Sequence, residues 1–239
     1  MTTTEHTSKQ FDTELEWVRA RVLNMGGLVE NNMWQAIEVL TSHDAKLMQN
    51  VITGDHRINE LAIEIDDICN QIIARRQPTA VDLRTVMTVI KIINDLDRIG
   101  DETQKITRMA RLLSEKNSLC LPRYKEIRHS AKLALNMLHK SLDAFARMDT
   151  SAAARIVRED EQVNEEFRNI LRYLITFMME DPRTISTSLE ILFVAKAIER
   201  IGDHAKNISK YVVYMVNGRD VRHVTVEEIE REAVGHDSL

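Results

Sequence analysis

Two pairs of carboxylates stand four residues apart in this chain, Asp97 with Asp101 and Glu199 with Asp203. On a helix, residues at that spacing share a face with their Cβ atoms about 5–6 Å apart, so each pair sets two like charges side by side. A cation between them relieves the repulsion, and hard divalent ions take oxygen ligands of this kind. Each pair lies in a five-residue segment, Asp97-Arg98-Ile99-Gly100-Asp101 and Glu199-Arg200-Ile201-Gly202-Asp203, and the copies are 102 residues apart. A second element recurs at an offset of 105: Asp55-His56-Arg57-Ile58-Asn59 and Asp160-Glu161-Gln162-Val163-Asn164.

The spacing around two prolines relates these elements. Asn59 lies 19 residues before Pro78 and Asp97 lies 19 after it; Asn164 is 18 before Pro182 and Glu199 is 17 after. In an up-down helical hairpin, equal distances from the turn mean equal height. The expected sites are therefore Asp55, Asn59, Asp97 and Asp101 in one half, and Asp160, Asn164, Glu199 and Asp203 in the other. Each would hold a divalent ion of the Mg, Mn, Zn or Fe kind. Glu30 and Asn31, about as far before His43 as Asp55 is after it, extend the first set to a third helix. His56 and His204 flank the motifs and are not counted as ligands. Gly100 and Gly202 interrupt good helices at about 1 kcal/mol each relative to alanine, which asks for a close neighbour. Against a metal stands the reading of solvated acidic faces with Arg98 and Arg200 as surface partners worth little. Duplication together with matching partner elements favours the sites.

These residues need long helices to carry them, and the apolar periodicity supplies six. Leu15, Val18, Val22, Met25, Val29, Met33, Ile37 and Leu40 draw the first stripe. Thr41 to Asp44 offers caps for a second helix running to about Arg76, where Gln77-Pro78-Thr79 stops it and Thr79 can cap a third. The polar run Ser114 to Ser118, closed by Pro122, separates the halves. The second half repeats the plan, with a helix from about Tyr124 to Met148, a cap at Asp149, a helix to about Met179, a break at Asp181-Pro182 and a helix from about Thr187 to Met215. Thr187-Ser188-Leu189-Glu190 has the spacing of a capping box. The fold class expected is all-α, two tandem three-helix bundles related by an internal repeat. The repeats span 1–116 and 117–239, with a disordered tail over 1–10 and a C-terminal tail over 218–239.

Composition narrows the function. The 239 residues are 44% hydrophobic with only 7 Gly and 3 Pro, enough for a large helical core. A formal net charge of −5 argues against nucleic acid as a ligand. Cys69 and Cys120 form no Cys-x-x-Cys pair and no disulfide framework, and Cys69 falls on the second apolar stripe as a buried group. The polar start and the lack of any run of about 18 apolar residues predict a cytoplasmic protein without direct membrane insertion.

The duplicated acidic segments resemble the E/D-x-x-x-D signature of the PhoU family, and Ala74-Arg75-Arg76-Gln77-Pro78 followed by Leu83-Arg84 is similar to that family's turn after its second helix. The similarity extends from about Phe11 to His223. It implies a homodimeric, metal-binding, non-enzymatic protein of paired three-helix bundles. Such a protein would act as an adaptor between the phosphate transporter ATPase subunit and the phosphate sensor histidine kinase, regulating phosphate uptake and restraining the phosphate-starvation response. Asn59 and Asn164 stand where a second carboxylate could, which lowers the charge of each site. Two other readings stay open. A di-metal carboxylate enzyme needs paired Glu-x-x-His elements, of which only Glu126 to His129 has the spacing. A plain helical scaffold would leave every acidic pair solvated.

Overall fold

The computed structural model describes residues 9–115 and 124–234. Six long helices carry the chain: α1 Lys9–Ser42, α2 Ala45–Arg76, α3 Ala80–Glu115, α4 Tyr124–Arg147, α5 Thr150–Glu180 and α6 Ile185–Asn217, followed by a short α7, Val226–Val234. The helices end where the local chemistry ends them. His43 turns the chain at φ 51° and Asp44 caps α2, its Oδ1 accepting from the Lys46 N–H at 2.7 Å. The second half uses the same device: Met148 turns at φ 55° and Asp149 Oδ1 accepts from Ala152 N–H at 2.7 Å. Gln77, in the left-handed region, closes α2 before Pro78.

The expected stripes form the core. Val18, Val22, Met25, Val29, Met33 and Leu40 of α1 are buried, as are Val51, Ile58, Ile65, Cys69 and Ile72 of α2. Helices α1 to α3 pack mutually, α4 to α6 do the same, and the halves join mainly through α3 and α6, with α1 against α4 beside them. The α3–α6 seam is antiparallel. Arg84 Nε donates to the Met215 carbonyl at 2.9 Å, His204 Nδ1 lies 2.5 Å from Asp95 Oδ1, and Arg200 meets Glu102 at 2.9 Å. Thus residue numbers fall along α6 as they rise along α3. The Asp97–Asp101 and Glu199–Asp203 segments consequently lie beside one another, near the middle of the seam.

Three details depart from the sequence reading. A 3-10 turn, Pro182–Thr184, lets α6 begin at Ile185, so Thr187 to Glu190 is no N-terminal cap; Ser188 and Glu190 are buried inside the helix. The stretch 218–239, read as a tail, contains α7, which packs on α5 and α6. Of the expected N-terminal tail, Lys9 and Gln10 begin α1. Residues 1–8, the 116/117 boundary, Cys120 and Pro122 lie outside the described residues. No helix among the described residues is long and apolar enough to cross a membrane.

Candidate acidic sites at the seam

The hairpin geometry brings the predicted residues of each half to one neighbourhood. In the first half, Asp55 is 4% exposed, and its Oδ2 accepts from Gln104 Nε2 at 2.5 Å and from Asn59 Nδ2 at 3.3 Å. Its Oδ1 is buried without a partner. Gly100 explains how a carboxylate lies so close to α3: a Cβ there would stand 2.9 Å from Asp55 Oδ1. Burial, and then the charges of Asp101 and Asp97, push the Asp55 carboxyl above its ordinary value, against the bonds from Gln104 and Asn59. Asp97 is raised for the same reasons, burial first and Asp101 second. Asp101 is exposed and pairs with Arg98 at 3.2 Å.

The second half has the same frame with different charges. Asn164 Nδ2 donates to Asp160 Oδ2 at 2.9 Å, and Asp160 Oδ1 is again buried and unpartnered. Here Lys206 bridges the two helices, with its Nζ 2.6 Å from Asp160 Oδ2 and 2.8 Å from Asp203 Oδ1. Burial works against the Lys206 charge, but these bonds outweigh it and hold the ammonium above its ordinary pKa. Glu199 has its own lysine, with Lys196 Nζ at 2.6 Å from Oε2.

At the repeat offset of 102, Lys206 corresponds to Gln104 and Lys196 to Asn94. The first half therefore places amides where the second places ammonium groups. This asymmetry, visible in the sequence once the offset is applied beyond the motif itself, was missed by a reading that treated the two sites as equivalent. The helix-one extension also shifts. Glu30 bonds His139 of α4 at 3.2 Å and Asn31 is exposed; it is Asn32, buried, whose Nδ2 donates to the Val51 carbonyl at 3.1 Å. One position along a helix is about 100° of rotation, which separates the two asparagines. A buried group was missed as well: Asp95 joins His204 and Tyr211 across the seam, and burial, reinforced by Asp95, pushes the Tyr211 phenol up to about 12.

The donor chemistry of the first site fits a cation: three carboxylates, an orphaned buried oxygen and no ammonium among them. The side chains do not close on one point, however. Among the described residues no group of three or more His, Cys, Asp or Glu is placed to hold a metal ion. In the second site Lys206 already holds the place of the cation between Asp160 and Asp203.

Comparison with known proteins places this architecture among relatives. The PhoU domain pattern matches residues 22–110 and 127–212, one copy in each half. The chain is 45% identical over 234 residues to the phosphate-specific transport system accessory protein PhoU of Escherichia coli (strain K12), covering 98% of this chain and 96% of that protein. It is 46% identical over 232 residues to the protein of the same name from Edwardsiella tarda, covering 97% and 95%. The crystal structure of PhoU from Pseudomonas aeruginosa superposes with a TM-score of 0.84 at 44% identity, covering 87% of this chain and 100% of that one. The phosphate transport system regulatory protein PhoU from Streptococcus pneumoniae gives 0.81 at 29% identity, covering 88% and 99%.

Proposed function

Because this chain belongs to the PhoU family, we propose that it is a non-enzymatic accessory protein of phosphate-specific transport. It regulates phosphate uptake and restrains the phosphate-starvation response. It acts in the cytoplasm as a homodimeric adaptor between the transporter's ATPase subunit and the phosphate sensor histidine kinase. The observation that carries this reading is the end-to-end match to relatives of that name, spanning 98% of this chain and 96% of one relative. Affinity capture of the tagged protein from phosphate-replete cells is the direct test. Recovery of the ATPase subunit and the kinase by mass spectrometry is expected; recovery of neither, with the bait abundant and folded, removes the adaptor reading.

Metal enters the same proposal unequally in the two halves. Asp55, Asn59, Asp97 and Asp101 hold a divalent ion, which adds positive charge beside Asp55 and Asp97, while Arg98 pairs with Asp101. Asp160, Asn164, Glu199 and Asp203 take one only when Lys206 gives way. Binding to the folded state alone stabilises it by mass action, by about 2.7 kcal/mol when the free ion is about a hundredfold above its Kd, and so raises the melting temperature. Thermal melts with millimolar Mg²⁺ or Mn²⁺ are expected to shift upward in the parent protein. The shift is expected to vanish in Asp55→Asn, Asp101→Asn. An equal shift in that variant removes the first-site assignment.

A further inference from the structure

The internal repeat exposes a second inequality, on the side of the acidic sites toward the α1–α2 and α4–α5 turns. In the second half α7 lies along the start of α5 and the end of α6. Ile229 and Ala233 of α7 are buried there. Thr150 Oγ1 donates to the Ala233 carbonyl at 3.1 Å, Asn217 Nδ2 to the Glu232 carbonyl at 2.8 Å, and Arg158 grips Glu230 through two bonds of 2.8 Å. The offsets of 105 and 102 carry this seat onto the first half: Thr150 to Ala45, Ala153 to Met48, Val157 to Ile52, Lys210 to Arg108, Asn217 to Glu115. The turn residues His43 and Met148, both with positive φ, confirm that register.

Those first-half counterparts line an open groove of about 550 Å³ between α2 and α3. Its apolar floor is bare. Ile52 is 41% exposed where its counterpart Val157 is 4% exposed beneath α7. Among the described residues no counterpart of α7 covers it. Its rim is basic, with Arg108 in no ion pair among the described residues and Arg111 paired to Glu115 at 3.0 Å. The helix seated in the equivalent place is acidic and amphipathic, with apolar Val226, Ile229 and Ala233 on one face and Glu227, Glu228, Glu230 and Glu232 beside them.

We propose that the groove between the start of α2 and the end of α3 receives a short acidic amphipathic helix of a partner protein, in the manner in which the second half receives α7. The apolar floor takes residues at i, i+3 and i+7 of the incoming helix, while Arg108 and Arg111 face its carboxylates and set the salt dependence of binding. This goes beyond the adaptor reading and stands on the repeat geometry alone, so failure of the affinity capture leaves it intact.

The probe is a fluorescent synthetic peptide with the sequence of residues 223–234, titrated against the full chain. Saturable binding is expected, weakened about tenfold or more by Ile52→Glu and by Arg108→Glu, two substitutions at solvent-facing positions that leave the melting temperature in place. Hydrogen exchange on peptide addition is expected to slow at residues 45–53 and 104–115. Three results overturn the proposal. One is no saturation up to about 1 mM peptide. Another is protection falling on 150–158 and 210–217, which means that the peptide displaces α7. The third is conversion of a dimer to a monomer by Ile52→Glu, which assigns the groove to a second copy of this chain.

Discussion

Lys206→Gln is expected to lower stability by about 2 kcal/mol near neutral pH, and to make the protein's melting respond to divalent cations at a site where it previously did not. The ammonium lies 2.6 Å from Asp160 Oδ2, and Asp160 is buried with its other oxygen unpartnered. Removing one partner of a buried pair costs about 3–5 kcal/mol because the remaining charge is stranded; partial exposure of Lys206 and Asp203 reduces that figure. For a chain of this size the loss corresponds to a fall in Tm of about 4–8 °C. The Lys206 pKa is raised on folding, so its contribution is complete below its ordinary value and fades only as the pH climbs through the still higher folded value. The loss should therefore be flat across neutral pH.

The reciprocal change, Gln104→Lys, is expected to stabilise the metal-free protein and to abolish its cation response, since the new ammonium would stand beside Asp55. The carboxyls of Asp55 and Asp97 are raised on folding, so their ionisation costs stability. That cost is absent below their unfolded pKa, grows as the pH rises to the folded one and persists above it. Gln104→Lys should flatten that decline. Differential scanning calorimetry of both variants, with and without Mn²⁺, decides the matter. An unaltered cation response in Gln104→Lys, or unchanged melting in Lys206→Gln, means that the lysine is not standing in for an ion.

The other large effect is a reversal of sign. Gly54 lies within α2, where alanine ordinarily gains about 1 kcal/mol. Here a Cβ would collide with Asn32 Oδ1 and stand 2.7 Å from its Cγ. Asn32 cannot step aside without cost, since its Nδ2 is bonded to the Val51 carbonyl at 3.1 Å in a buried position. Withdrawal forfeits that bond and strands a buried amide, at about 1–3 kcal/mol. Gly54→Ala should therefore lose about 2 kcal/mol, or about 4–8 °C in Tm. Adding Asn32→Ala removes the obstacle, so the double variant should melt above Gly54→Ala alone, a non-additivity expected of touching residues. A stabilised Gly54→Ala would show that α1 and α2 are free to separate at this level.

How much of this could be read from the residues depended on the length of the signal. The six long helices were legible because stripes such as Val18 to Leu40 run for many turns, and the level of the acidic residues followed from counting to Pro78 and Pro182. Helix α7 was not, since nine residues with four apolar positions among charges look like a solvated tail until α5 offers them a surface. Thr187 to Glu190 carried the letters of a cap, but Asp181 and Pro182 had already begun the turn upstream. Asp95 belongs to no repeated motif, and only the α3–α6 contact, joining residues more than a hundred apart in sequence, shows that it is buried.

That seam has a consequence for the ancestry and assembly of the chain. Segments related by the repeat face one another across it in opposite directions, so the two halves meet about an approximate two-fold axis passing between Gly100 and Gly202. A protein carrying one copy of the unit would have its third helix stripped along one side, and the surface best shaped to clothe it would be the same helix of its twin. Fusing the copies turns a bimolecular encounter, dependent on concentration, into a tethered one with an effective concentration in the millimolar range. It also frees each copy to change separately, which is how one could acquire two lysines while the other kept amides.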